Sequence, residues 1–219
     1  MEARGLPAAV LAAASDRRGG ALEVAATALD GLLEVADDPP LLEQAVTALL
    51  AGQPAMAPIW HLARAARAPD PAAALAALRH DLTTDAAAAV AAAASWLQPH
   101  LATGGAVATV SHSSLVDRVL ARVGPRSAPG DPVVGVVGAD AIGPGALLNA
   151  VGTRELVGRV PTLVVATAVK LVPAEVFGRL GGAGFEGVPL QAVAAVVVGA
   201  EVLSHAGAGR RAQDLAPYA

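Results

Sequence analysis

The stretch VVGVVGADAIGPGALLNAVGTRELVGRVPTLVVATAVKLVP, residues 133–173, decides the fold. It contains two short apolar runs rich in β-branched residues, Val133–Val137 and Thr162–Ala166, which are typical of buried parallel strands. A short helix around Arg154–Val157 is predicted between them. Strands that alternate with a helix in this way predict an α/β fold with a Rossmann-like parallel sheet.

Residues that do not suit a core follow each predicted strand. Gly138 and Asp140 come after the first strand, Lys170 comes after the second, and a Gly/Pro-rich loop leads from the first strand to Asn149. Ligands of open α/β sheets bind in the crevice outside the carboxyl ends of the strands. We therefore expect an acid, an amide and a lysine to lie at one rim and to form a ligand site there.

The start of the short helix adds a second expectation about this rim. Gly152 and Thr153 precede the predicted helix, and a helix N-terminus attracts anionic groups because its first N–H groups are unpaired. Lys170 would supply a positive charge to the same ligand. The alternative, that Asp140 is an ordinary solvated residue at the end of a strand, stays open at this point.

The rest of the chain divides by its pattern. We expect a helical domain over residues 1–103, a small α/β domain over 104–206 and a loose tail over 207–219. The predicted elements are helices over Ala21–Val35, Leu41–Leu50 and Ile59–Ala68, a helix that Asp70 and Pro71 open, an alanine-rich helix that Thr84 or Asp85 caps and that runs to Leu97, a strand over Ala106–Val110 and a helix over Leu115–Val123. Phe177–Gly187 is predicted to be a glycine-rich turn, and Pro189–Leu203 fits a helix or a strand.

The composition excludes several classes of protein. Hydrophobic residues make up 54% of the chain and charged residues 16%, which excludes a disordered protein. An aromatic content of 2% and a net charge of −4 give no footprint for nucleic acid. The absence of cysteine excludes disulfides, thiolate catalysis, iron–sulfur clusters and cysteine-ligated zinc.

The apolar runs are too short for a membrane span, which needs about 18 residues. We therefore expect no membrane partner and a cytoplasmic location. A signal peptide at the start is the less favoured alternative, because an acid precedes its apolar stretch and DRRGG follows it.

Two motif matches are rejected on their context. Gly182–Gly187 has the GxGxxG spacing of dinucleotide-binding loops, but Val188 and a proline follow it where a helix is required. Residues 111–113, Ser-His-Ser, with Asp117 suggest a hydrolase triad, but neighbouring strand residues point to opposite faces and there is no nucleophile elbow.

The histidines show no spacing that is typical of metal ligands. We expect His61, His80 and His100 to be solvated residues on helices. The sequence therefore predicts neither a metal site nor a cofactor.

Short motifs spread over nearly the whole chain resemble, in order, those of the initiation factor 2B alpha/beta/delta subunit family. That superfamily also includes the methylthioribose-1-phosphate and ribose-1,5-bisphosphate isomerases. The motifs are RGGA at 18–21, QPAMAPIW at 53–60, VSHS at 110–113, GAD at 138–140, Asn149, Gly152 with Thr153, Pro161, TLVVATAV at 162–169, Lys170 and FEGVP at 185–189.

The resemblance implies the fold described above and a phosphosugar pocket at the strand ends. It implies ligand-binding roles for Arg18, Gly19, Ser111, Ser113, Gly138, Asn149, Gly152, Thr153 and Lys170. Asp140 would engage a sugar hydroxyl or act as a general acid or base. His112 would replace a missing cysteine as proton carrier, since the ordinary pKa of histidine suits that task.

The sequence also departs from the family in its chemistry. The isomerases of the family use a cysteine in the segment that matches Val110–Ser114, paired with the aspartate that matches Asp140, whereas this chain has no cysteine. The family's lysine after the asparagine is Ala150 here, and its arginine before the proline is Gln53. Catalysis by the family's route is therefore not expected.

A further departure is a deletion. The family places two extra βα units between the strands at Val110 and Val133, where this chain has one helix and a loop. Loss of strands 2 and 3 from a doubly wound sheet leaves strands 1, 4 and 5 side by side. Strand 1 then becomes an edge, and we expect a homodimer that covers it.

These observations favour a protein that binds a small phosphorylated metabolite, a sugar phosphate or a nucleotide. One alternative is an aldose–ketose isomerase, an intramolecular oxidoreductase acting on a phosphorylated sugar, or a repurposed biosynthetic enzyme on the same scaffold. The other alternative is a structural or regulatory subunit of an oligomer.

Overall fold

The protein is described by a computed structural model that covers residues 5–102, 104–110, 112–124 and 131–215. The helical part comes first in the chain. Its helices are α1 (Ala8–Ser15), α2 (Ala21–Leu33), α3 (Pro39–Gly52), α4 (Ala57–Ala66) and α5 (Pro71–Leu101). The start of α5 has the expected cap, because the carboxylate of Asp70 accepts a hydrogen bond from the N–H of Ala73 at 3.0 Å and Pro71 follows it. The apolar faces of these helices share one core.

Helix α5 is a single helix of 31 residues, so the prediction of a new helix capped by Thr84 or Asp85 is wrong. Alanine has the highest helix propensity, and neither Gly nor Pro interrupts the chain between Pro71 and Leu97. The hydroxyl of Thr83 donates to the carbonyl of His80 within the helix at 2.9 Å. Polar residues in the middle of a helix were mistaken for a boundary.

The α/β part contains eight strands and four further helices within the described residues. They are β1 (Ala106–Ala108), α6 (Ser114–Val123), β2 (Pro132–Val137), β3 (Ala141–Ile142), β4 (Ala146–Ala150), α7 (Thr153–Arg159), β5 (Thr162–Ala166), α8 (Ala174–Phe177), β6 (Phe185–Pro189), β7 (Ala195–Val198), β8 (Glu201–Leu203) and α9 (His205–Gln213). The predicted α/β fold with an N-terminal helical part is confirmed.

The main sheet has the strand order β1-β2-β5-β7-β8, with parallel pairing except between β7 and β8. Val136 lies opposite Leu163 in the β2–β5 register, and Val107 lies opposite Val134 in the β1–β2 register. Strand β1 is therefore an edge strand that pairs directly with β2, as expected from the short connection between them. Helices α5 and α6 cover one face of this sheet.

A second sheet, which the sequence analysis did not predict, packs on the other face of the main sheet. Strands β3, β4 and β6 pair antiparallel, and Asn149 in β4 lies opposite Glu186 in β6. Residues 146–150 were predicted to be loop and 185–187 to be turn, because Gly and Pro surround both segments. Partners distant in sequence create these strands, which is why local propensity missed them.

Residues 207–213 belong to helix α9, so the expected loose tail is wrong over that range. The hydroxyl of Ser204 caps the helix by accepting from the N–H of Gly207 at 3.1 Å. Ala208 and Ala212, one helical turn apart, are fully buried against the second face of the main sheet. Small apolar residues gave little periodic signal for this contact.

None of the described helices is long and apolar enough to span a bilayer.

Candidate functional site

A cavity of about 650 Å³ lies between the helical part and the carboxyl ends of the main sheet. The segments that follow β1, β2 and β5 reach it, together with residues 16–22 of the helical part and the loop 181–184. The structure thus brings Gly138, Asp140, Asn149 and Lys170 to one space.

Lys170 is the most unusual residue of the cavity wall. It ends a 3-10 turn, Ala168–Lys170, after β5 and is only 4% exposed. Its amine donates no hydrogen bond to any residue that the structure describes. Burial lowers the pKa of Lys170 to about 8, although Asp140 and Glu23 oppose this shift. A buried amine that lacks a hydrogen-bond acceptor among the described residues is costly, and the cavity leaves room for an anionic or polar ligand to supply one.

Asp140 is the carboxylate that interacts electrostatically with Lys170. Its backbone is fixed on both sides, because its N–H donates to Leu148 at 2.9 Å and its carbonyl accepts from Ala57 at 3.0 Å. Burial raises the pKa of the Asp140 carboxyl, and the positive charge of Lys170 partly offsets this effect. This carboxyl can hold a proton at a higher pH than an ordinary aspartate.

The turn before α2 forms the wall that belongs to the helical part. The carboxylate of Asp16 accepts hydrogen bonds from the N–H groups of Arg18 at 2.7 Å and Gly19 at 2.8 Å, and these bonds lower the pKa of Asp16. Ala21 and Leu22, the first residues of α2, line the cavity, and their N–H groups have no acceptor among the described residues. The helix dipole adds partial positive charge there.

The segment after β1 supplies weaker candidates. His112 lies at the cavity and is well exposed, with its Nδ1 3.3 Å from a carboxylate oxygen of Asp117. The hydroxyl of Ser113 caps α6 and lies so close to Gly138 that a side chain at Gly138 would meet it at 2.9 Å. Ser111 lies outside the described residues.

The expected anion seat at Gly152 and Thr153 is wrong. The carboxylate of Glu186 accepts from the N–H groups of Gly152 and Arg154, each at 2.8 Å, and so occupies the start of α7. Thr153 is fully buried and accepts a hydrogen bond from the side-chain amide of Asn149 at 3.0 Å. Neither Gly152 nor Thr153 lines the cavity.

His61 also differs from its prediction. Its Nε2 donates to the carbonyl of Leu171 at 2.8 Å, and burial lowers the pKa of His61 to about 4. It therefore connects α4 to the segment that holds Lys170 and is not a solvated residue. His80 and His100 are exposed, as expected. The described residues contain no group of His, Asp and Glu side chains that could hold a metal ion.

Sequence reasoning missed two side chains that position the cavity wall. The buried amide of Gln53 donates to the carbonyls of Ala13 and Asp16, both at 2.7 Å, and so fixes the turn before α2. The carboxylate of Asp85 accepts from the N–H of Ala168 at 2.9 Å and anchors the turn that ends at Lys170. One available signal was overlooked: Lys170 is the only lysine among the 15 Lys and Arg residues.

Comparison with solved structures identifies the architecture. Translation initiation factor eIF-2B from Pyrococcus horikoshii OT3 superposes with a TM-score of 0.70 over 91% of this chain and 98% of that chain, at 18% identity. The tetrameric eIF2B-beta2-delta2 complex from C. thermophilum gives a TM-score of 0.67 over 94% and 92%, at 13% identity. This chain has the initiation factor 2B subunit fold.

The same fold occurs in an enzyme. The 5-methylthioribose 1-phosphate isomerase from Pyrococcus horikoshii OT3 has a TM-score of 0.57 over 93% of this chain and 85% of that chain, at 14% identity. All three superpositions cover both the helical part and the sheets of this chain. A scan against protein-family models and a search of curated proteins gave no match.

Proposed function

We propose that this protein binds a small phosphorylated metabolite, a sugar phosphate or a nucleotide, in the cavity. The observation that supports this most is the buried amine of Lys170, which lines the cavity and has no hydrogen-bond acceptor among the described residues. The start of α2 with its unpaired N–H groups lines the same space. A volume of about 650 Å³ is in the usual range for small-molecule sites.

The phosphate belongs at the start of α2. The N–H groups of Ala21 and Leu22 and the guanidinium of Arg18 provide donors and positive charge there. Lys170 lines the same cavity and neutralises a further negative charge. Asp140, which interacts electrostatically with Lys170, accepts a hydrogen bond from a sugar hydroxyl or donates one to it, and Asn149 lines the same cavity.

Thermal unfolding in the presence of ribose 5-phosphate, nucleoside monophosphates and inorganic phosphate tests this function. A ligand that binds only the folded protein raises the melting temperature by mass action, and a concentration one hundred times the Kd adds about 2.7 kcal/mol. Lys170→Met should abolish the increase. Arg159→Met, which removes an exposed cation on α7, is the matched control and should leave the increase intact. No increase with any of the three classes would refute the proposal.

A structural role in an oligomer is a second candidate, favoured by the assembly of a matched protein and by the edge position of β1. One of the matched structures is a tetrameric complex. Within the described residues, β1 pairs with β2 on one side and with no strand on the other side. A homodimer is the simplest assembly that would cover this edge. Light scattering of the purified protein at micromolar concentration tests this role. A monomer would exclude a homo-oligomer.

Isomerisation by the cysteine-dependent route is not part of the proposal. That route needs two groups that move a proton between adjacent sugar carbons, and each such group contributes about 10²–10⁴-fold. Asp140 is one such group, but His112 is exposed and interacts with Asp117. Turnover of methylthioribose 1-phosphate or ribose 1,5-bisphosphate near 1 s⁻¹, an ordinary enzymatic rate, would instead establish the isomerase alternative.

A further inference from the structure

We propose that Lys170 is a nucleophile whose amine forms a reversible imine with the carbonyl carbon of a phosphorylated aldehyde or ketone bound in the cavity. This inference rests on the proposed function and narrows its ligand to carbonyl compounds. It follows from the position of one amine in one cavity and from the proton donor beside it.

The first support is the choice of residue. Every other basic residue among the 15 Lys and Arg is arginine, and the single lysine lies at the cavity. A guanidinium serves well wherever only charge or phosphate binding is needed, but it stays protonated and does not attack a carbonyl. An amine can lose its proton and become a nucleophile. The exception in an arginine-rich chain therefore occurs where arginine cannot perform the chemistry.

The second support is the way in which the amine is held. Asp85 anchors the N–H of Ala168 at the start of the Lys170 turn, and His61 holds the carbonyl of Leu171 after it. Val169 packs into the core of the helical part. These contacts fix the backbone on both sides of Lys170, so its side chain is presented to the cavity from a rigid segment, which favours a productive geometry.

The third support is the pair of proton equilibria. With its pKa lowered to about 8, roughly a tenth of the Lys170 amines are neutral at pH 7, far more than for an ordinary lysine. Burial raises the pKa of Asp140, so its carboxyl retains a proton more readily than an exposed one. One group is thus prepared to attack and the other to donate a proton.

The reaction balances without any further reactant. The lone pair of the Lys170 nitrogen attacks the carbonyl carbon, and the carbonyl oxygen takes a proton from Asp140 while the nitrogen loses one to the Asp140 carboxylate. The resulting carbinolamine then loses its hydroxyl group as water, again with a proton from Asp140. The nitrogen keeps its remaining hydrogen, so the products are a protonated imine, paired with the Asp140 carboxylate, and one water molecule, and hydrolysis reverses both steps.

Reductive trapping tests the inference with erythrose 4-phosphate, whose chain is too short to close a furanose ring. Cyanoborohydride adds hydride to the imine carbon and makes the adduct permanent, and peptide mass spectrometry locates it. The α-amino group of the chain is an internal control, since its ordinary pKa is also near 8. We expect labelling of Lys170 to be at least about tenfold faster than that of the α-amino group, because the bound aldehyde is held beside it.

Matched probes and variants separate the two proposals. Erythritol 4-phosphate, which lacks the carbonyl, should raise the melting temperature without giving an adduct. Asp140→Asn should slow the labelling by on the order of 10²-fold, and Lys170→Arg, whose folding is checked by its thermal transition, should give no adduct at position 170.

Each contrary result has one meaning. Stabilisation by erythritol 4-phosphate with no excess labelling of Lys170 would overturn the imine and leave the proposed function standing. Labelling by unphosphorylated erythrose at an equal rate would overturn it as well, because the reaction would not depend on the site. The absence of both stabilisation and labelling would refute the proposed function itself.

Discussion

The N-termini of α2 and α7 differ in the structure, although the sequence predicts ligand-binding residues at both, namely Arg18 and Gly19 before α2 and Gly152 and Thr153 at α7. The start of α7, after Gly152, has the pattern of an anion seat, but the carboxylate of Glu186 fills it. The start of α2 follows the turn that contains Arg18 and Gly19, and its N–H groups at Ala21 and Leu22 line the cavity with no acceptor among the described residues.

The difference shows that a helix start becomes a ligand site only where the fold leaves it unsatisfied. Glu186 reaches α7 because β6 pairs with β4, directly before the helix. At α2, the nearby carboxylate of Asp16 is used by the N–H groups of Arg18 and Gly19 in the preceding turn. Four experiments test this contrast.

The largest effect is expected from Lys170→Met, which removes the buried cation from the cavity that the start of α2 lines. The folded state has the lower pKa, about 8 against 10.5, so the wild type gains about 3 kcal/mol of stability as the pH rises between these values. Below pH 8 the full cost of the buried charge is present. The variant should lack this dependence and be about 2 kcal/mol more stable at pH 7 while losing phosphate binding.

Chemical denaturation at pH 7 and pH 10 measures this prediction. The difference between Lys170→Met and the wild type should shrink at the higher pH. A destabilised variant at pH 7 with an unchanged dependence would mean that the amine is well solvated, which contradicts its burial.

The next effect is that of Glu186→Ala on the α7 side. Two N–H groups lose their acceptor, which should cost about 2 kcal/mol of stability. Phosphate affinity should not change, because α7 does not line the cavity. Glu186→Gln, which keeps an oxygen acceptor, should recover part of the stability. A gain in phosphate affinity in Glu186→Ala would show that the freed start of α7 also takes phosphate, which would contradict the assignment of the site to α2 alone.

A smaller effect is expected from Ala21→Pro, which deletes one N–H group from the α2 site. Proline is accepted at the first position of a helix, and Gly20 before it has the extended conformation that proline requires, with ψ of 155°. Phosphate should bind about tenfold more weakly, the value of one hydrogen bond to a charged group. Calorimetric titration with inorganic phosphate measures this change, and an unchanged Kd would exclude this N–H from the site.

The same comparison shows how much of the structure could be predicted from the sequence. The strands Val133–Val137 and Thr162–Ala166 were predicted almost to the residue, because continuous apolar runs depend on local composition. The convergence of Asp140 and Lys170 followed from the general position of ligand sites in parallel sheets. What failed was the small antiparallel sheet, in which β4 pairs with β6 over 35 or more positions of chain.

Failures at the site have the same origin. Glu186, Asp85 and Gln53 act on backbone groups far away in the sequence, and no local pattern shows which N–H or carbonyl a side chain will reach. Burial is likewise a tertiary property, which is why His61 was expected to be solvated. That Lys170 is the only lysine can be read from the sequence alone, and this was the strongest observation that the prediction of the site did not use.

The smallest effect is expected from Asp16→Asn, which keeps an oxygen to accept from Arg18 and Gly19 but removes a negative charge from the cavity wall. Phosphate should bind a few-fold more tightly at low salt, because one repulsion at the start of α2 is lost, and the gain should fade with added salt as the charges are screened. The folded carboxylate has a lowered pKa, so it stabilises the wild type above the unfolded pKa and loses this contribution as the pH falls through the folded value. Asp37→Asn, at an exposed carboxylate beyond the far end of α2, is the control and should leave the phosphate affinity unchanged. If Asp16→Asn binds phosphate more weakly, the carboxylate acts by ordering the turn, and the site at α2 depends on that order more than on its net charge.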